Sequence, residues 1–122
     1  IRAIPQVYAV TDATAAAGMP DGDYRLGRHT VRKCDNGVRL DDGTLAGSCL
    51  TMDQAFRNLV AIGLPVEDAA RRTATWPADR IGASDRGRIA TGAHADLVCL
   101  DADLALRAVF VEGEAIDLAD AR

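Results

Sequence analysis

The apolar run Val7-Tyr8-Ala9-Val10-Thr11 stops at a carboxylate, Asp12, after which the chain turns to small and turn-forming residues, Ala13-Thr14-Ala15-Ala16-Ala17-Gly18-Met19-Pro20. A short, continuously apolar stretch bounded by Pro5 and Asp12 reads as a buried strand over residues 6–11. Such a strand points to an α/β architecture, in which the loop at the strand's end is where acid–base groups are kept. Position alone leaves two readings of Asp12 open: a proton carrier, or a turn cap of the kind strand-end aspartates often provide.

Downstream, residues 13–23 read as a loop. Tyr24-Arg25-Leu26, His29-Thr30-Val31-Arg32 and Val38-Arg39-Leu40 alternate polar with apolar residues and predict short antiparallel strands, with Asn36-Gly37 as a hairpin turn. Met52, Ala55, Phe56, Leu59, Val60 and Gly63 recur at helical spacing and predict a helix capped by Thr51, with Gln54 completing the capping box and Gly63 ending it. A second helix is expected from Pro65 through Arg72, acidic at its start and basic at its end, and a third, short one from Pro77. From Gly87 the pattern returns to strands, at 87–89, 96–100, 106–111 and 114–116, punctuated by Gly92, Asp101 to Asp103 and Gly113.

Composition excludes several function classes. With 48% hydrophobic and 26% charged residues the 122-residue chain is an ordinary globular one, large enough for its own core. A formal net charge of −4 with scattered Lys and Arg argues against a nucleic-acid surface, and no stretch is long and apolar enough to span a bilayer. Cys34, Cys49 and Cys99 have neither zinc nor disulfide spacing and read as reduced, partly buried thiols of a cytoplasmic protein. His29 and His94 stand alone in sequence and read as surface or turn residues rather than ligands. The start at Ile1, almost directly in an apolar strand, reads as if cut from something longer.

Three segments together carry a family resemblance: Val10-Thr11-Asp12-Ala13-Thr14-Ala15-Ala16-Ala17-Gly18, Leu45-Ala46-Gly47-Ser48-Cys49-Leu50-Thr51-Met52, and Thr73-Ala74-Thr75-Trp76-Pro77-Ala78 followed by Gly87 to Val98 with its Ala95-Asp96-Leu97-Val98 ending. In order and spacing they resemble the carboxy-terminal portion of N-acetylglucosamine-6-phosphate deacetylases, within the amidohydrolase superfamily. The resemblance implies an α/β fold: the last strand and following helices of a (β/α)8 TIM-type barrel over residues 1–85, and the terminal strands of a small β-sandwich domain over 86–122. It implies that Asp12 is the general base and acid of a deacetylation, and that Leu45 with the backbone of Ala46 and Gly47 contacts an amino sugar phosphate. The alternative for that segment is an ordinary strand-to-helix connection with Ser48 and Thr51 as caps.

The resemblance further implies a divalent metal, zinc being the expected ion, with no metal ligand in this chain: the Glu and two His of the family lie on earlier strands. A barrel needs about 250 residues, so this chain alone is expected to be inactive and to need the rest of the barrel from a parent chain or companion fragment. A homodimer is expected on the same ground. Competing readings are another metal-dependent amidohydrolase, aminoacylase- or dihydroorotase-like, and a β-rich accessory module without chemistry. Trp76 and the Met52–Val60 face read as packing, Asp96 as the holder of a tight turn before the next strand, and Asp101, Asp103, Glu112 and Glu114 as solvated turns.

Overall fold

The computed structural model describes residues 7–34 and 37–119 and divides them into two compact units, Val10–Ala55 and a second made of 7–9 with 56–119. Helices are combined with two antiparallel sheets.

In the first unit, β1 (Gly22–Leu26), β2 (His29–Cys34), β3 (Gly37–Arg39) and β4 (Leu45–Ser48) form a sheet in sequence order. The alternation anticipated for 24–40 sets its faces. Val31 and Val38 are buried with Ala16, and Tyr24, Leu26, Leu40, Ala46 and Cys49 pack against them. On the other face, Asp23 and Arg32 are register partners joined at 2.8 Å; this bond and the Arg32 charge hold the Asp23 carboxyl below the usual carboxylate range. Asp35 and Asn36, the first part of the expected hairpin turn, lie outside the described residues.

The helix α1 (Met52–Ala61) carries the chain into the second unit. Its first hydrogen bond runs from the Ala55 N–H to the Thr51 carbonyl at 2.9 Å, which makes Thr51 the N-cap position, and the Gly63 N–H closes on the Val60 carbonyl at 2.8 Å. The two further helices expected from sequence are one continuous run: α2 (Val66–Ala70), a π turn over Arg71–Thr75, and α3 (Trp76–Arg80). Pro77 explains the π turn. Proline has no N–H to donate and its ring crowds the carbonyl four residues back, here that of Thr73, so the widened turn passes the proline without breaking the helix. The Trp76 N–H accordingly reaches back to the Arg71 carbonyl, five residues away.

β5 (Leu97–Leu100), β6 (Leu106–Val111) and β7 (Glu114–Ala115) form the second antiparallel sheet. Asp101 builds the β5–β6 connection: its carboxylate accepts the N–H groups of Asp103 (3.0 Å) and Ala105 (2.9 Å) and pairs with Arg107. Asp96 holds a turn, though not the one ahead of its own strand. It accepts the Glu112 N–H at 2.9 Å between β6 and β7 and binds Arg86.

Two expected strands are absent from the described residues. Residues 87 and 88 are bends and Ile89, 92% exposed, belongs to no strand. The Gly87 backbone lies against the helical run instead of a strand: its carbonyl accepts the Thr75 hydroxyl at 2.6 Å, and a Cβ there would sit 2.5 Å from the Ala74 carbonyl oxygen. Residues 7–12 likewise carry no strand assignment, and Val7, Tyr8 and Val10 are exposed rather than buried. A strand exists only through its neighbours' hydrogen bonds. Here residues 7–9 are held by Arg72, whose guanidinium donates to the Val7 carbonyl at 2.6 Å and whose own carbonyl accepts the Ala9 N–H at 2.9 Å.

Candidate functional site

Asp12 sits where two segments distant in sequence are joined. Ala13 forms an isolated parallel bridge with Ser48 at the end of β4. The Ser48 N–H donates to the Asp12 carbonyl, and the Thr14 N–H donates to the Ser48 carbonyl, each at 3.0 Å. The Ser48 hydroxyl donates to the Thr11 carbonyl and accepts the Leu50 N–H at 3.2 Å. The Ala13 N–H turns back to the Thr11 hydroxyl at 3.2 Å. These bonds pin the backbone on both sides of Asp12 and hold it at φ 51°, in the left-handed region. Aspartate is among the few residues other than glycine that visit this region, at a cost of roughly 1–2 kcal/mol that the surrounding bonds offset. None of them uses the Asp12 carboxylate, and the residue is exposed.

The segment 45–48 is a strand because both its sides find partners: β3 on one, residues 12–14 on the other. Gly37 faces Ser48, Val38 faces Gly47 and Arg39 faces Leu45, so Ala46 is the extra residue of a bulge. A bulge interrupts the ladder and turns backbone groups away from it. The Ala46 side chain packs on the sheet core, whereas Leu45 is 63% exposed. Gly47 is buried with φ 149°, and a Cβ there would lie 2.5 Å from Thr14 Cγ2 and 3.4 Å from the Asp12 carbonyl oxygen. Glycine is therefore required by the approach of the Asp12 segment as well as by its own conformation. The structure thus brings Asp12 to Gly47 and, through the strand, to Ala46 and Leu45. Sequence reasoning missed Ser48 and Thr14 as the clasp between them; its only trace was the pair of hydroxyls flanking these positions.

Other candidates lie elsewhere. His29 is exposed beside Arg28. His94 is not isolated in space: Nε2 lies 3.2 Å from an Asp85 oxygen and Nδ1 lies 3.6 Å from Glu112. Cys34 and Cys99 are exposed rather than partly buried, and only Cys49 is half-buried. Trp76 packs under the Arg72 guanidinium, 4.9 Å from the ring centroid, and lines a hollow with Tyr8, Asp79 and Arg80. Among the described residues no group of three or more His, Cys, Asp or Glu could hold a metal ion, and no helix is long and apolar enough to cross a membrane.

Residues 36–110 match the model of the amidohydrolase family. The chain belongs to that family. Within it, the chain is 36% identical over 108 residues to an N-acetylglucosamine-6-phosphate deacetylase from Lysinibacillus sphaericus, covering 88% of this chain and 28% of that protein. It is 35% identical to an N-acetylgalactosamine-6-phosphate deacetylase from Escherichia coli O157:H7, covering 89% of this chain and 29% of the relative. The crystal structure of the N-acetylglucosamine-6-phosphate deacetylase from Thermotoga maritima superposes with a TM-score of 0.82 at 42% identity, over 89% of this chain and 30% of that one. This family member therefore spans under a third of the length of these relatives.

Proposed function

We propose that this chain is the carboxy-terminal part of an enzyme that removes the acetyl group from N-acetylglucosamine 6-phosphate, releasing glucosamine 6-phosphate and acetate. The observation that carries the reading is the clasp that seats Asp12 against the end of the Leu45–Ser48 strand, in a chain similar to amino sugar phosphate deacetylases. Hydrolysis of an amide needs a group that takes a proton from the attacking water and returns it to the nitrogen as the C–N bond breaks. Asp12 does both: its carboxylate is exposed while its backbone is tied down on either side. Leu45 offers an exposed side chain, Ala46 the backbone of a bulge, and Gly47 a surface without a Cβ, which suits them to contact the sugar.

Residues 1–85 then supply the last strand, the substrate segment and the closing helices of a (β/α)8 barrel, and 86–122 the terminal strands of the small β-domain. The exposure of Val7, Tyr8 and Val10 supports this reading, since a barrel strand is covered on both faces. The divalent metal implied by the resemblance, zinc being the expected ion, finds no donor set among the described residues, and in this reading its ligands come from the rest of the parent enzyme. The separated polypeptide is inactive, and the whole enzyme is a cytoplasmic homodimer.

The test is acetate release by the full-length protein from N-acetylglucosamine 6-phosphate, its galacto epimer and the unphosphorylated sugar. Phosphorylated N-acetylglucosamine is the preferred substrate; equal rates with the unphosphorylated sugar overturn the substrate assignment, and preference for the galacto epimer transfers it to that sugar. Asp12→Asn lowers kcat by roughly 10²- to 10⁴-fold, the usual worth of acid–base catalysis. Turnover near that of the wild type removes Asp12 from the reaction.

A further inference from the structure

We infer that Ser48 is a positioning residue for the Asp12 carboxylate, acting through backbone groups of Thr11, Asp12 and Thr14 rather than on the substrate; the inference rests on the catalytic reading of Asp12. Ser48 contacts the segment around Asp12 with all of its polar groups. Its hydroxyl donates to the Thr11 carbonyl, its N–H to the Asp12 carbonyl, and its carbonyl accepts the Thr14 N–H. The hydroxyl is itself oriented by the Leu50 N–H, so that one side chain ties the start of the Asp12 turn to the residues leading into α1.

The two backbone bonds alone fix how far Asp12 lies from β4. They do not engage the Thr11 carbonyl, so beyond the Ala13 N–H bond to the Thr11 hydroxyl they leave the Thr11–Asp12 peptide freedom to tilt, and that tilt changes φ of Asp12 and with it the setting of its carboxylate. The hydroxyl bond to the Thr11 carbonyl removes this freedom. Asp12 sits at φ 51°, a conformation that aspartate leaves readily once its neighbours allow. Loss of the hydroxyl therefore lets the residue relax toward extended backbone and swings the carboxylate off its line. Alanine at position 48 keeps both backbone bonds and removes the orienting one, together with the Leu50 N–H bond to the same hydroxyl. A residue at this place in the strand must be small, half-buried and hydroxylated, which serine and threonine alone satisfy.

The experiment is a double-mutant cycle in the full-length protein with N-acetylglucosamine 6-phosphate as substrate. Ser48→Ala lowers kcat by roughly 10- to 100-fold, the scale of a misplaced catalytic group, while KM changes little. Ser48→Thr, which keeps the hydroxyl, restores most of the loss. In the Asp12→Asn background Ser48→Ala has little further effect on the residual rate, because the group it orients is already gone. If Ser48→Ala lowers the rate by the same factor in both backgrounds, Ser48 is merely structural and the inference is overturned. It is overturned equally if Asp12→Asn is impaired but Ser48→Ala turns over like the wild type. If Asp12→Asn itself is unimpaired, the functional reading fails first and takes this inference with it.

Discussion

Replacing Gly47 by alanine probes the junction on which the candidate site depends. The added Cβ would stand 2.5 Å from Thr14 Cγ2 and 3.4 Å from the Asp12 carbonyl oxygen. Carbon atoms rest about 3.5–4.0 Å apart, so the first contact must open by about 1 Å. Neither side yields freely, because the Thr14 hydroxyl is engaged by the Ala16 N–H and the Thr14 N–H by Ser48. Overpacking of this kind costs about 1–3 kcal/mol, and a side chain at φ 149° adds about 1–3 kcal/mol of backbone strain. The sum is a loss of about 2–6 kcal/mol, read as a lowered denaturant midpoint at unchanged slope. If the strain is relieved by pushing residues 12–14 away from β4, a shift of about 1 Å at Asp12 lowers kcat by about 10²-fold. Thr14→Ser removes Cγ2 and keeps the hydroxyl. In the Gly47→Ala background it recovers the steric part of the loss and leaves the strain. Native stability and turnover in Gly47→Ala, or a Thr14→Ser change that simply adds its own loss, would refute the packing on which this reasoning stands.

Gly87→Ala tests the anchoring of the segment before β5: at φ 70° its Cβ would meet the Ala74 carbonyl oxygen at 2.5 Å and Ala78 Cβ at 3.0 Å. Helix backbone cannot move aside, so a loss of about 2–5 kcal/mol is expected in urea denaturation; an unchanged midpoint would count against that contact. Asp101 is held below the usual carboxylate range, first by the Ala105 N–H and then by Arg107 and the Asp103 N–H. A depressed folded-state pKa contributes stability that is present above the unfolded value and lost as pH falls through the folded one. Denaturation midpoints should therefore fall as pH drops below about 4, and Asp101→Asn should flatten that slope. A slope identical to the wild type's would show that Asp101 contributes nothing to it.

The elements legible from sequence are those whose partners are close along the chain. The alternation of Tyr24, Leu26, Val31 and Val38 predicts the β1–β3 meander because each strand pairs with the next, and the spacing of Ala55, Phe56 and Leu59 predicts α1. Elements that failed share one physical cause. Residues 6–11 have a strand's composition, but the described ones, 7–11, form no strand ladder with a neighbour. Residues 87–89 have a strand's pattern, but Gly87 is held by Thr75 and Ala74. The break expected between the second and third helices vanished because a π turn absorbs Pro77.

The candidate site divides in the same way. The sequence by itself supplied its candidate groups: a carboxylate after an apolar run, a small-residue segment ahead of a helix, and the wider pattern that matches the amidohydrolase family. Only the tertiary structure decided that these meet. The strand character of Leu45–Ser48, the bulge at Ala46, the left-handed turn at Asp12 and the fit of Gly47 against Thr14 all depend on hydrogen bonds and contacts supplied from a distant part of the chain. Local propensity carries no information about such partners. That is why Asp12 can be recognised in the sequence while Ser48, which holds it, emerges only from the fold.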